Sequence, residues 1–567
     1  MNFISFSEEK CVNCYKCIRA CHTKAISVFG DRQENDEERC ISCGECYVSC
    51  EHDGFFIKDK VQEVKDALSS NKKVIASLAP SFPGAFSLKE GEQIVSALKK
   101  LGFYAVEETA VGADVILDSY EDYTENSTLD NLISTSCPSA NYLVEKYYPE
   151  LKKYMMPVVS PMVAHGKSIR QFYGEDVYVV FIGPCIAKKV EAKEPQYEGI
   201  INSVLTFVEL QKWFEEESLD LQKFDPQPFD RKGTNKGKLI PCKIKLAEEK
   251  NKRFEKLVVT GVEQCKELLE SIKKGELSGL FLEMLSCAGG CIDGTGIPKD
   301  AVSYHVRKKR VRDYIKKSDN EEGSNICKEP IDISRKVSAK EVKEHQYTNA
   351  QILGVLNSMG KNKKEDELNC NACGYGTCRE LAESILRGSS HVNMCLPYMR
   401  SKAESLKNVI FDHSPNAIFM VGFDLTVKEF NPASEKLFNK NVEKIKGKRI
   451  GEVISEEIFE KVLETKSNMI GKKIEYSQHG VILIANIIYL KEQSVLMTIM
   501  TDVTSEEKNK EELVRVKKNT LDVAQSVIDK QMRVAQEVAG LLGETTAETK
   551  VALTKLKDIV IEERGNE

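Results

Sequence analysis

The chain has 567 residues, 41% hydrophobic and 30% charged, a composition expected of a soluble globular protein with roughly three to five domains. Acidic residues exceed basic ones, 87 to 81, for a net charge of −6, and no basic block marks a nucleic-acid partner. The longest apolar run, Val481 to Leu490, contains Asn486 and falls short of the roughly 20 residues a membrane span needs. The N-terminus, MNFISFSEEKC, has no basic segment followed by an apolar one, so the expected compartment is the cytoplasm, with no membrane partner.

The 19 cysteines are the informative count. Thiols stay reduced in a large cytosolic chain, and clusters of them bind metal more often than they form disulfides. Residues 1–58 contain an internal repeat: Cys11, Cys14, Cys17 and Cys21 form C-x2-C-x2-C-x3-C, and Cys40, Cys43, Cys46 and Cys50 repeat it. Zinc motifs pair two thiolates at a time and explain this doubled spacing poorly; iron–sulfur binding explains it well. From about 59 to 330, β-branched runs such as KKVIASLAP and DVYVVFIGPC alternate with helical stretches such as GEQIVSALKKLG. That alternation predicts α/β structure with a mainly parallel sheet. Within it Cys137 sits in STSCPSAN, Cys185 in FIGPCIAKKVE, and Cys287 and Cys291 in FLEMLSCAGGCIDGTG. Four thiolates can hold one cubane, and glycine-rich loops let backbone approach a bulky ligand. The charged KKSDNEEGSN, residues 316–325, reads as a solvated loop.

Cys370, Cys373, Cys378 and Cys395 form C-x2-C-x4-C with a fourth cysteine beyond a helical stretch; zinc is the competing ligand there. Cys242, Cys265 and Cys327 fit no pattern and read as ordinary residues. Residues 404–503 read as an α+β unit ending in strands VILIANIIYL and VLMTIMTDV. From Ser505 the chain reads as helix, with Val514, Leu521, Ile528, Ala535 and Leu542 every seven residues and Val527, Val534 and Leu541 beside them. Gly543 would end that helix, and Thr545 with Glu548 would cap a last short one. His413 and His479 read as ordinary histidines rather than ligands.

Residues 1–58 resemble a bacterial two-[4Fe–4S] ferredoxin, although His22 and Glu51 stand where a proline usually follows the fourth cysteine. The resemblance implies one cluster on Cys11, Cys14, Cys17 and Cys50 and another on Cys40, Cys43, Cys46 and Cys21. The three central cysteine segments resemble the signature motifs of the [FeFe]-hydrogenase catalytic domain, over residues 59–345. That resemblance implies an H-cluster: a [4Fe–4S] cubane on Cys137, Cys185, Cys287 and Cys291, bridged through Cys291 to a diiron subcluster with CO, cyanide and azadithiolate. Lys188 would pair with a cyanide, Glu191 closes the same motif, and Pro80 and Ser81 would line the diiron site.

Departures from the family pattern are equally informative. Ser136 stands where catalytic relatives carry a proton-relaying cysteine, and a serine hydroxyl releases its proton far less readily than a thiol. Ala140 and Asn141 replace a tryptophan, Gly183 and Leu285 replace methionines, and Tyr120 and Tyr123 occupy the places of two relay glutamates, with Glu121 nearby. Residues 346–403 resemble a small [4Fe–4S] domain, 404–503 a PAS domain, with Asn431-Pro432-Ala433 entering a helix and Asp502 and Thr504 at its end, and 504–567 a coiled-coil output segment. The order as a whole resembles a sensory [FeFe]-hydrogenase. It implies H2 and protons as ligands, slow turnover, a ferredoxin-like redox partner, a downstream kinase or phosphatase, dedicated maturation proteins and a homodimer. An ordinary electron-transferring hydrogenase, a cubane-only relative and a redox sensor without hydrogen chemistry are the rival expectations.

Overall fold

The computed structural model describes residues 3–29, 32–70, 72–239, 253–317, 330–338, 340–343, 345–476, 480–539 and 550–557. Two compact units divide the chain, Met1–Met399 and Arg400–Glu567.

In the first unit a four-stranded sheet runs Ala105–Glu108, Val74–Leu78, Tyr178–Gly183, Ser203–Thr206, with every neighbouring pair parallel. Val74–Leu78 is buried along its whole length, as a parallel strand covered on both faces must be, and so reads as an unbroken run of apolar and small residues. A crossover helix, Gln93–Lys100, returns the chain to the next parallel strand and buries Ile94, Val95, Ala97 and Leu98. A second sheet, also parallel, runs Glu255–Thr260, Leu280–Leu285, Asn131–Ile133. Each sheet has its own core, the first around Ile75, Val106 and Val180, the second around Leu143, Leu269 and Leu282. The α/β character expected of this region is therefore present. One expectation is corrected: the loop expected from residue 316 begins as helix, because Lys316 and Lys317 close Tyr304–Lys317, where basic side chains complement the carbonyl end. Residues 318–325 lie outside the described residues, as do Cys242 and Cys327. Cys265 is a buried core thiol beside Leu285 O at 3.9 Å.

Residues 3–58 keep their repeat in the backbone. Asn13 and Ser42 take left-handed φ values of 52° and 58°, Tyr15 and Gly44 of 56° and 84°, and Lys24 and Asp53 of 49° and 52°. The Cys370–Cys395 group packs on residues 3–58, in one core holding Cys17, Ile18, Tyr375, Leu381 and Met394. Arg19 fastens the two, its Nη1 donating to Ala372 O at 3.1 Å and its Nη2 to Cys14 O at 3.0 Å.

The 3–58 segment meets the α/β body at Gly44. A Cβ there would lie 2.5 Å from Thr295 Oγ1 and 2.9 Å from Ile186 Cδ1, at a φ that L side chains rarely adopt. Gly44→Ala should cost about 1–3 kcal/mol from backbone strain alone, read as a lower thermal-unfolding midpoint of this unit. An unchanged midpoint would show that the contact yields freely.

The second unit is a five-stranded antiparallel sheet in the order Val427–Phe430, Ala417–Gly422, Val495–Asp502, Val481–Leu490, Met469–Tyr476. Phe419, Val427, Phe459, Leu483 and Met500 form its core. Buried Asn431 ties it together: Oδ1 accepts from Ser434 N at 2.9 Å and Ile418 N at 2.9 Å, while Nδ2 donates to Phe411 O and Asn416 O, both at 3.0 Å. Thr504 opens the helix Thr504–Ala539; its N–H donates to Asp502 Oδ1 at 2.9 Å, and its hydroxyl accepts from Ile482 N at 2.8 Å. Val514, Val527 and Val534 are exposed on that helix, and His413 is exposed at the end of Leu396–His413. Leu541, Leu542, Gly543, Thr545, Glu548 and His479 lie outside the described residues. Among the described residues no helix is long and apolar enough to cross a membrane.

Candidate active site and metal centres

A cavity of about 90 Å³ opens where strands of both sheets end. Ala79, Pro80 and Ser81 follow Val74–Leu78; Thr109 and Ala110 follow Ala105–Glu108; Pro184 and Cys185 follow Tyr178–Gly183. From the other sheet, Ser136, Cys137 and Pro138 follow Asn131–Ile133, and Leu285 and Cys291 come from the end of Leu280–Leu285 and the loop beyond it. Ligands of parallel α/β sheets collect at these carboxyl ends, where loops diverge and leave a crevice. Gly294 makes the approach possible, since a Cβ there would lie 2.4 Å from Pro184 O.

Four cysteines from distant segments converge here. Burial raises the Cys287 thiol well above its usual range, and the charges of Cys185, Cys137 and Cys291 raise it further. Cys185 is pushed up to about 11, again by burial first and then by Cys137. A buried thiolate is costly unless a cation takes the proton's place, so the group is suited to metal. Lys188 Nζ also faces the cavity, donating to Glu191 Oε2 at 2.7 Å and Ser136 O at 3.3 Å. Glu191 in turn accepts from Ser160 Oγ at 3.0 Å. Ser81 lines the cavity with its Oγ buried and, among the described residues, without a hydrogen-bond partner.

The departures noted in the sequence have structural counterparts. Ser136 Oγ meets Tyr120 Oη at 3.2 Å, and that hydroxyl accepts from Thr135 N at 3.1 Å. Tyr120 is fully buried, and burial raises its pKa. Tyr123 is 39% exposed, and Glu121 faces Lys236 at 3.9 Å. Asn141 Nδ2 donates to Thr135 O at 2.9 Å, and a Cβ on Gly183 would lie 2.6 Å from the ring of Phe181, which lines the cavity itself. Sequence reasoning missed Thr109, Phe181 and Glu283 as lining residues. Glu283 carried a readable signal, an acid inside the apolar strand FLEML; it is buried and pairs with Lys256 at 3.4 Å.

The repeat cysteines show matched sulfur hydrogen bonds. Asn13 N donates to Cys11 Sγ and Ser42 N to Cys40 Sγ, each at 3.4 Å; Ala25 N donates to Cys21 Sγ and Gly54 N to Cys50 Sγ, each at 3.2 Å. Such donors stabilise thiolates and tune cluster potential. Cys17, raised to about 12 by burial, also feels Cys14, Cys50 and Cys11, and Cys46 feels Cys43, Cys40, Cys21 and Cys17. Cys373 is raised by burial and by Cys395 and Cys370. Among the described residues no trio of His, Cys, Asp or Glu closes on a single ion. Ligands to the corners of a cubane stand wider apart than ligands to one ion.

Residues 72–248 and 241–295 match the family described as iron only hydrogenase large subunit, C-terminal domain. The match covers the cavity and its four cysteines. Residues 366–397 match a second family model, FeS, for an Fe-S cluster segment. The chain is 25% identical over 321 residues to iron hydrogenase 1 of Clostridium pasteurianum, covering 45% of this chain and 56% of that protein's length. It is 28% identical over 368 residues to the periplasmic [Fe] hydrogenase large subunit of Nitratidesulfovibrio vulgaris, covering 53% of this chain and 87% of that one. The chain is also similar to the cytosolic Fe-S cluster assembly factor narfl of Danio rerio, 22% identical over 354 residues, 50% of this chain and 81% of that one. A solved [FeFe]-hydrogenase from Chlamydomonas reinhardtii covers 50% of this chain and 99% of its own at 17% identity and a TM-score of 0.39.

Beside the cavity, buried Glu107 accepts from Arg231 Nε at 2.8 Å and Nη2 at 2.7 Å and faces His165 Nε2 at 2.9 Å. Burial raises its pKa, but these bonds and charges outweigh it and hold the carboxyl at about 2, against 4.5 when free. The shift is worth about 3 kcal/mol, present in full above pH 4.5 and lost as pH falls toward 2. Glu107→Gln should therefore flatten acid destabilisation in that window, read as the denaturation midpoint against pH. An unchanged slope would remove Glu107 as a source.

Proposed function

We propose that the chain is a hydrogen-sensing protein of the [FeFe]-hydrogenase type, with an H-cluster held by Cys137, Cys185, Cys287 and Cys291 and low turnover. The observation that carries the reading is the cavity itself: half-buried Cys137, Cys185 and Cys291, with half-buried Cys287 beside them, meet the Lys188 ammonium and the Ser81 hydroxyl at the carboxyl ends of two parallel sheets. These residues fit the group. The thiolates suit a cubane, the ammonium suits an anionic cyanide, and the free hydroxyl suits a polar ligand. When bound, the diiron unit supplies reversible splitting of H2 into protons and electrons. The surrounding Ala79, Pro80, Pro161, Met162 and Phe181 keep the crevice dry and strengthen charge interactions within it. Ser136 hydrogen-bonds where catalytic relatives relay protons, and loss of a positioned acid–base group costs about 10²–10⁴ in rate.

In this reading residues 1–58 hold two ferredoxin-type clusters, 59–345 the hydrogen site, 346–403 a further [4Fe–4S] cluster, 404–503 a PAS domain and 504–567 its output helix. The 2-1-5-4-3 sheet order of the second unit and the Asp502–Thr504 junction support the PAS assignment. Exposed Val514, Val527 and Val534 support a homodimer or a partner helix, with a kinase or phosphatase downstream. Transmission requires that reduction favour one of two states of the output helix. Similarity to an assembly factor favours a second reading, a cubane-only relative with no diiron unit. Infrared spectroscopy of protein matured with its assembly enzymes decides between them. CO and cyanide bands that shift under H2 are expected; their absence defeats the hydrogen reading.

A further inference from the structure

The two halves of the 3–58 repeat face different neighbours. In the second half Gly44, beside Cys43, abuts the residue that follows Cys185: a Cβ on Gly44 would lie 2.9 Å from Ile186 Cδ1. Lys146 fastens the same half to the α/β body, its Nζ donating to Cys40 O at 2.7 Å and to Glu37 O at 2.9 Å. In the first half Ile18 and Arg19, between Cys17 and Cys21, abut the loop that carries Cys370 and Cys373. A Cβ on Gly374 would lie 2.8 Å from Ile18 Cγ2 and 3.1 Å from Arg19 N. Val28 N donates to Ser389 O at 2.9 Å across the same interface.

Arg19 is the polar tie of this second interface. Its Nη1 donates to Ala372 O at 3.1 Å, between Cys370 and Cys373, and its Nη2 donates to Cys14 O at 3.0 Å. One guanidinium fork therefore holds a carbonyl from each cysteine loop and sets a positive charge beside both. Cys17, Cys373, Cys378 and Cys395 are buried in one shared core, so the two groups meet through packed side chains. Cys395 immediately precedes the helix Leu396–His413, which carries the chain into the second unit.

We propose that Arg19 joins the first half of the repeat to the Cys370–Cys395 group as an electron-transfer contact, and that this group ends a single line running from the cavity through the second half and then the first. The inference rests on the iron–sulfur reading of these cysteines, and on the hydrogen reading only for the source of electrons. Each step moves one electron. The group on Cys11, Cys14, Cys17 and Cys50 is oxidised as the group on Cys370, Cys373, Cys378 and Cys395 is reduced, with no bond made or broken. H2 is the reductant; each molecule gives two electrons to the line and two protons at the cavity. The Arg19 charge favours the reduced, more negative form of both groups it touches.

A redox titration of the full chain, loaded with iron–sulfur clusters but not yet with the diiron unit, tests the contact by electron-paramagnetic resonance. The two signals are assigned by their loss in Cys14→Ala and in Cys373→Ala. Arg19→Leu should make reduction of both groups about threefold less favourable, the worth of one charge at close range in a solvated site. The group on Cys40, Cys43, Cys46 and Cys21 should stay unchanged, and Arg19→Lys, which keeps the charge, should titrate near wild type. A purely structural tie would lower the melting temperature and move neither potential. Unmoved potentials in Arg19→Leu, or a shift of one group alone, overturn the contact. In matured protein under H2, Cys14→Ala should leave the Cys370–Cys395 group oxidised; its reduction at the wild-type rate overturns the order of the line. If no CO or cyanide bands form at all, the hydrogen reading fails instead, and the titration alone decides the contact.

Discussion

Lys188→Met is expected to abolish the infrared bands of the diiron unit while the neighbouring cubane keeps its electron-paramagnetic signal. Lys188 is the one cation lining the cavity among the described residues, and an anionic ligand in a dry crevice depends on such a charge. The same change leaves Glu191 buried with only Ser160 donating to it at 3.0 Å. Removing one partner of a buried ion pair costs about 3–5 kcal/mol, so the variant should also be less stable. The double variant Lys188→Met with Glu191→Gln separates the two effects. It removes the orphaned carboxylate charge and should regain most of the stability, yet the bands should stay absent. Full band intensity in Lys188→Met would show that the cavity does not need this charge.

The second large effect is a gain. Ser136→Cys combined with Tyr120→Glu should raise hydrogen turnover by about 10²-fold or more. The geometry explains why the pair is needed. Ser136 passes only to Tyr120 at 3.2 Å, whose hydroxyl is fully buried and raised in pKa by that burial. A thiol at 136 alone would meet a partner whose burial makes its proton harder to release. Ser136→Cys alone should therefore gain much less. Equal turnover in wild type and double variant would place the slow step away from proton transfer at this site.

The cysteine pattern was legible because residues that share one cluster are often local. Cys11 to Cys21 and Cys40 to Cys50 announce themselves by spacing, since neighbouring corners of one cubane are reached by neighbouring residues. The matched left-handed positions and N–H to sulfur bonds of the two halves follow from the same repeat. The parallel sheets were legible too, since strands buried on both faces are apolar throughout. The packing of the Cys370–Cys395 group was not legible, because it buries its apolar face on Ile18 and Cys17, residues hundreds of positions away.

What the sequence by itself determined is the family of chemistry it resembles, through cysteines in cluster spacing and the motifs around Cys137, Cys185 and Cys287. Only the tertiary structure decided what stands around the cavity. The hydrogen-bonded pairs Thr109 and Ser77 are 32 residues apart, Ser77 and His165 88, and His165 and Glu107 58, so no local pattern records these contacts. Parallel strands bring distant segments together at one edge, and a hydrogen bond needs only that the side chains meet there.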